Sequence, residues 1–184
     1  AGERVILNFF LDITERKRAE EALKAGQARL AEAQRIGRLG SWDLDLRSQR
    51  MVWSDELYRI YERTPAEFDG SWDALLTLIH PDDLPVIRKG FRESAQTRAP
   101  YELDHRILTP SGRVKRLHIR WEVSFDEAGQ PLRALGTAQD ITEQVEARAE
   151  IERLNADLER RVQERTAELT AANRELESFA YSIS

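Results

Sequence analysis

The sequence predicts an α+β domain: a five-stranded antiparallel sheet with helices on one face, flanked by helices at both ends. Three observations predict it. Stretches that alternate apolar and polar residues with period two fall into two groups, two early and three late. Between the groups, from 55 to 97, apolar residues recur at helical spacing. After Gly136 neither glycine nor proline occurs, so nothing breaks a helix from Thr142 to Ser184. Strands, then helices, then strands again place the helices together on one side of one sheet.

The elements follow in order. The β-branched and aromatic run 5–11 reads as a buried strand. Residues 15–39 read as a helix, with Leu23, Leu30 and Gly37 at heptad spacing and Gly26 and Ala33 between them, a narrow seam. Residues 40–46 alternate as a half-buried strand does, Arg47, Ser48 and Gln49 make a turn, and 50–53 form the second strand. The stretch 55–62 puts Leu57, Ile60 and Tyr61 on one helical face, and 71–79 does the same with Trp72, Leu75, Leu76 and Ile79. A loop at 80–83 leads into a helix reaching 97, with Leu84, Ile87 and Phe91 inward and the pair Asp82, Asp83 as N-cap and first-turn acid. Three strands close the sheet. Residues 101–108 line one face with Tyr101, Leu103, His105 and Ile107. Residues 113–125 do so with Leu117, Ile119, Trp121, Val123 and Phe125, and 132–141 is the last strand.

The last strand hands over to the long helix at Asp140, Ile141, Thr142 and Glu143. Asp140 can accept from the free N–H groups of the first turn and Glu143 can reach back, the logic of a capping box. The same pattern stands at Asp12, Ile13, Thr14 and Glu15, also after an apolar run and before a helix. Two copies read as an internal repeat. The first is expected to be the tail of a preceding module, and the chain a piece of a longer protein.

Composition narrows the function. Of 184 residues, 41% are hydrophobic, enough for a core, and 33% are charged, as exposed helices require. A net charge of −5 argues against nucleic acid as the main partner. Zero cysteines exclude disulfides, thiolate catalysis and Cys-ligated metals, and fit a cytoplasmic location. No apolar run is long enough to span a bilayer, so no direct membrane contact is expected.

Several motifs together carry a resemblance. Gly40-Ser41-Trp42, His80-Pro81-Asp82-Asp83, Pro110-Ser111-Gly112 and the run Gly136 to Glu143 resemble, in this order, a PAS domain of the PAS-3 type with its C-terminal PAC motif. The segment Leu176, Glu177, Ser178, Phe179, Ala180, Tyr181, Ser182, Ile183, Ser184 resembles the opening of the dimerisation and phosphotransfer domain of sensor histidine kinases. In that family the phospho-accepting histidine follows such a serine. The resemblance implies a sensory PAS module of a bacterial histidine kinase in two-component signal transduction. It implies no enzymatic activity in this chain, with ATP-dependent autophosphorylation belonging to the parent. The expected division is 1–14 as the end of a preceding PAS module, 15–38 as a linker helix, 39–142 as the PAS domain, 143–174 as a signalling coiled coil and 175–184 as the start of the phosphotransfer domain. A cyclic-dinucleotide cyclase is another parent type that uses PAS domains, and the run Phe179 to Ser184 argues against it.

Cofactor chemistry of this fold can be checked residue by residue. Its flavin photosensors and covalent chromophores use cysteine, and there is none. Its haem sensors place a histidine on the long helix, and 82–97 has none. His80 sits in a loop, His118 faces outward between Arg116 and Arg120, and the three histidines show no metal spacing. No cofactor is expected. His105 could line a pocket or be a satisfied core histidine. The set Trp42, Trp53, Tyr61, Trp72, Phe91, Tyr101, His105 and Trp121 could enclose an apolar ligand or fill the core itself.

The long helix carries a seam: Ile151, Leu154, Leu158, Val162, Arg165, Leu169, Ala172, Leu176, Phe179 and Ile183 follow one another in steps of three or four. Two successive fours around Leu158 and Val162 read as a stutter that locally unwinds a supercoil. Arg165 falls on the seam, where a charge is costly unless it escapes or pairs. The expected partner is a second copy of the chain through parallel helices, with neighbouring PAS and kinase domains of the parent at either end. The remaining alternatives are a ligand- or cofactor-binding sensor domain in its own right and a structural dimerisation spacer.

Overall fold

A computed structural model describes residues 14–182, and side chains from 16 to 174. The strand expected at 5–11, Asp12 and Ile13 of the first repeat copy, Ile183, and the side chains of Leu176 and Phe179 lie outside the described residues.

The chain divides into two units, 1–140 and 141–184. In the first, helix α1 (Thr14–Ile36) precedes strands β1 (Leu39–Asp45) and β2 (Arg50–Trp53). Helices α2 (Asp55–Ile60), α3 (Trp72–Leu78) and α4 (Leu84–Thr97) follow, α4 entered through a short 3-10 turn, Pro81–Asp83. Strands β3 (Tyr101–Leu108), β4 (Val114–Phe125) and β5 (Pro131–Asp140) complete it. The second unit is helix α5 (Thr142–Ser182), 41 residues without a break.

Local chemistry explains the boundaries. The Asp45 carboxylate accepts from the N–H groups of Arg47 (2.9 Å) and Ser48 (2.7 Å), which turns β1 into β2. Ser71 caps α3 by accepting from the Ala74 N–H at 3.1 Å, and Ser54 stands likewise before α2. Gly112 and Gly129 supply left-handed backbone, φ +80° and +76°, at the two late hairpins.

All neighbouring strands are antiparallel, in the order β2-β1-β5-β4-β3. The helices cross from β2, at one edge, to β3, at the other, and cover one face. Alternation turns Trp42, Leu44, Met51, Trp53, Leu117, Ile119 and Trp121 into that covered face. Leu57, Ile87, Ile107 and Leu117 are 1% exposed or less, which makes them the centre of the core.

The register puts one row across the whole sheet: Trp53 opposite Trp42, Trp42 opposite Gly136, Gly136 opposite Trp121, and Trp121 opposite Tyr101. Gly136 is the one position in the row without a side chain, and the Trp42 ring occupies the space. A Cβ built there would sit against that ring and 2.6 Å from the Arg120 carbonyl oxygen, which is backbone and cannot yield. Gly136→Ala is therefore expected to cost about 2 kcal/mol or more. Urea unfolding monitored by tryptophan fluorescence checks it, and an unchanged midpoint would remove the packing role given to this glycine.

Candidate functional site

Two places in the first unit gather chemistry: the interior under the helices and the end of β5. Rings from four elements meet in the interior. Phe91 of α4 stacks on Trp121 (centroids 4.7 Å apart, planes 15°) and lies 5.8 Å from Trp42 and 4.6 Å from Trp72. Trp53 stacks on Phe68 at 3.8 Å and meets Tyr61 at 4.6 Å. Such pairs add about 0.5–1.5 kcal/mol each beyond the area they bury. The Trp121 indole N–H donates to the buried Ser94 hydroxyl at 2.8 Å, and that of Trp53 reaches the Met51 sulfur.

Between the two ring groups lies a cavity of about 30 Å³, room for about two water molecules. Of the aromatic set expected to line a pocket, Trp42, Trp53, Tyr61, Phe91 and His105 border this space. Trp72 lies instead on a separate outer cleft, Trp121 stacks on Phe91 of α4, and Tyr101 packs on Trp121. Sequence reasoning missed the aliphatic walls, among them Met51, Leu75, Ile79 and Ile87. Nothing in their residue type separates a cavity wall from ordinary core. Burial pushes the ionisation of the Tyr61 hydroxyl up.

His105 is 5% exposed, and among the described residues its buried Nδ1 has no hydrogen-bond partner. It borders the cavity. Burial holds its pKa down to about 4, against the opposing pull of the Asp83 and Asp104 carboxylates. The other histidines have local partners. His80 Nδ1 accepts from the Asp82 N–H at 3.3 Å, and His118 Nδ1 lies 2.7 Å from an Asp104 carboxylate oxygen. Among the described residues no three His, Asp or Glu side chains come together as a metal site.

Asp83 corrects one expectation. It stands at the N-cap position of α4 but makes no side-chain cap bond. Its carboxylate accepts instead from Arg106: the backbone N–H at 2.7 Å, Nε at 3.0 Å and Nη2 at 2.7 Å. The physical reason is strength. A guanidinium fork with an amide outweighs one helix N–H, and Pro85 removes a first-turn donor. These bonds hold the Asp83 pKa down to about 2 and tie the start of α4 to β3.

At the other place, Asp140 ends β5. Its N–H donates to the Arg38 carbonyl at 3.1 Å, and its carboxylate lies 3.8 Å from the Lys115 ammonium. Lys115, with its side chain only 15% exposed, also donates to the last carbonyl of α2, Ile60 O, at 2.7 Å, and lies 3.3 Å from Glu62. Glu62 further accepts from the Ser111 hydroxyl at 2.6 Å and from Arg113. The Ser111 bond first, then Arg113 and Lys115, hold its pKa down to about 2. One lysine thus connects the end of β5, the end of α2 and the β3–β4 hairpin. Sequence reasoning found Asp140 but not its partner, because nothing local marks a lysine 25 positions upstream. In the second unit Ile141 precedes α5, which opens at Thr142 with Glu143 in its first turn.

A pH dependence follows from His105. Its folded pKa, about 4, lies below the ordinary 6.5, so the unfolded chain binds the proton more readily. Its contribution is complete above the ordinary value and is lost as pH falls from 6.5 towards 4. The loss is expected to be on the order of 2 kcal/mol. Urea unfolding across this range checks it. His105→Phe should flatten the slope, and an unchanged slope would refute the assignment.

The comparisons agree with this geometry. Residues 50–138 match the PAS_3 family model, described as a PAS fold. The chain is 27% identical over 132 residues to the probable diguanylate cyclase DgcE of Escherichia coli, covering 72% of this chain and 12% of that protein. It is 28% identical over 109 residues to the sensor protein FixL of Bradyrhizobium diazoefficiens, covering 58% and 21%. The chain therefore spans about a fifth or less of these curated relatives. Among solved structures, a sensory box histidine kinase/response regulator from Burkholderia thailandensis superposes with a TM-score of 0.60 at 23% identity, over 72% of this chain and 98% of that one. Five antiparallel strands in this order, helices on one face and a matching family model lead to one assignment: the chain carries a PAS domain.

Proposed function

We propose that this PAS domain is the sensory, signal-transmitting module of a dimeric, cytoplasmic sensor histidine kinase. A conformational signal passes from the sheet through Asp140, Ile141, Thr142 and Glu143 into paired parallel helices. The observation that carries the reading is the apolar line on α5. Ile151, Leu154, Leu158, Val162 and Leu169 are 52% to 71% exposed, on a helix otherwise charged and laced with its own ion pairs. A second copy would bury that line as a coiled-coil seam. Arg165, expected on the seam, pairs with Glu168 at 2.9 Å and so need not enter it unpaired. The chain is similar both to a sensor protein and to a probable diguanylate cyclase, and the kinase parent rests on the resemblance at 176–184. Among the described residues no helix is long and apolar enough to cross a membrane.

A second reading, a ligand sensor, is favoured by the unpartnered His105 Nδ1 beside the cavity. Native mass spectrometry of the purified chain is its check: a stoichiometric added mass supports it, and the bare chain mass counts against it.

Disulfide trapping tests the proposed function, because the chain has no native cysteine. Leu154→Cys, Leu158→Cys and Leu169→Cys are each expected to cross-link to their own copy readily under mild oxidation, and Arg153→Cys poorly. Equal cross-linking at all four positions, or a monomer by sedimentation at micromolar concentration, would overturn the parallel pairing.

A further inference from the structure

A second concavity lies outside the cavity and is larger, about 320 Å³. Its apolar lining is Leu44 near the end of β1, Leu46 just after it, Trp72 of α3 and Phe91 of α4. Its polar lining is Gln49, from the turn after β1, with Arg88 and Arg92 of α4. Four positions apart on one helix, the two guanidinium groups project from the same face. Both side chains are exposed, and among the described residues neither has an ion pair or hydrogen bond. The contrast is local: Lys89, on the same helix, pairs with Glu93 at 3.5 Å. Among the described residues no carboxylate borders the cleft, so two positive charges face it without a counterion in its lining.

Those features select a ligand class. Two adjacent guanidinium forks match a carboxylate, each oxygen taking N–H donors in the plane of the fork. The apolar wall offers the partly buried Trp72 ring and the partly buried Leu46, which suit a flat apolar body. An inorganic anion would leave that wall unused, and a neutral hydrocarbon would leave the arginines unused. The volume suits a molecule of one or two rings. We propose that this cleft is a binding site for an aromatic carboxylate, its charged end between Arg88 and Arg92 and its ring against Trp72. Phe91 borders both the cleft and the inner cavity, so a ligand seated outside touches a ring that also walls the interior. Binding here is independent of helix pairing and is read on this chain alone.

The test is a titration of the 184-residue chain with 2-naphthoate, followed by the indole N–H resonances of its four tryptophans. Trp72, identified with Trp72→Phe, is expected to shift saturably. Arg88→Gln and Arg92→Gln should each weaken binding about tenfold. The uncharged 2-naphthamide should bind about tenfold or more weakly than the acid. Both arginines are exposed, so the variants should keep the wild-type melting curve. Equal binding of acid and amide, unchanged affinity in either variant, a shift at Trp53 in place of Trp72, or no saturable shift would each overturn the proposal.

Discussion

One row of positions holds the sheet and its helices together: Trp53, Trp42, Gly136, Trp121 and Tyr101, side by side across all five strands. Two tryptophans on either side of β5 would crowd any residue between them. Glycine leaves the space, the Trp42 ring takes it, and Phe91 packs on the pair from above. Through Phe91 the row fixes the distance between α4 and the sheet. Gly90, on the same helix, allows the closest approach, since a Cβ there would stand 2.8 Å from Tyr101 and 2.9 Å from Trp121. The packing is close where helix meets row and looser towards α2, where the cavity lies.

Around this apolar centre the polar groups act as ties between elements. Arg106 and Asp83 fasten α4 to β3, and Arg133 and Asp43 fasten β5 to β1. Lys115 joins α2, the β3–β4 hairpin and the end of β5. Exposed pairs contribute little to stability, whereas the partly buried Lys115 and Asp83 have several partners each and set geometry as well as energy.

The sheet was legible because its information is local. Period-two alternation marked each strand, and apolar residues at helical spacing marked 55–62 and 71–79. The site was legible only in part. Five of the expected pocket residues share one cavity because large rings pack together wherever the sheet brings them. The rest depended on contacts distant in sequence. Asp83 reads as a helix cap until Arg106, 23 positions later, takes its carboxylate. Lys115 reads as an unremarkable strand residue until α2 and β5 arrive beside it. His105 reads as core, and only the structure shows that its Nδ1 was left without a partner.

The pairing of β1 with β5 has a consequence for how such a domain is used. Leu39, near the start of the folded body, lies opposite Gln139, near its end, and the Arg38 carbonyl accepts from the Asp140 N–H. The chain comes in and goes out at neighbouring points of the central strands. A body whose two ends meet can be spliced into a longer polypeptide, copied in tandem or removed, with little change in the separation of the segments it interrupts. Recombination can then move such a body between chains as an interchangeable part.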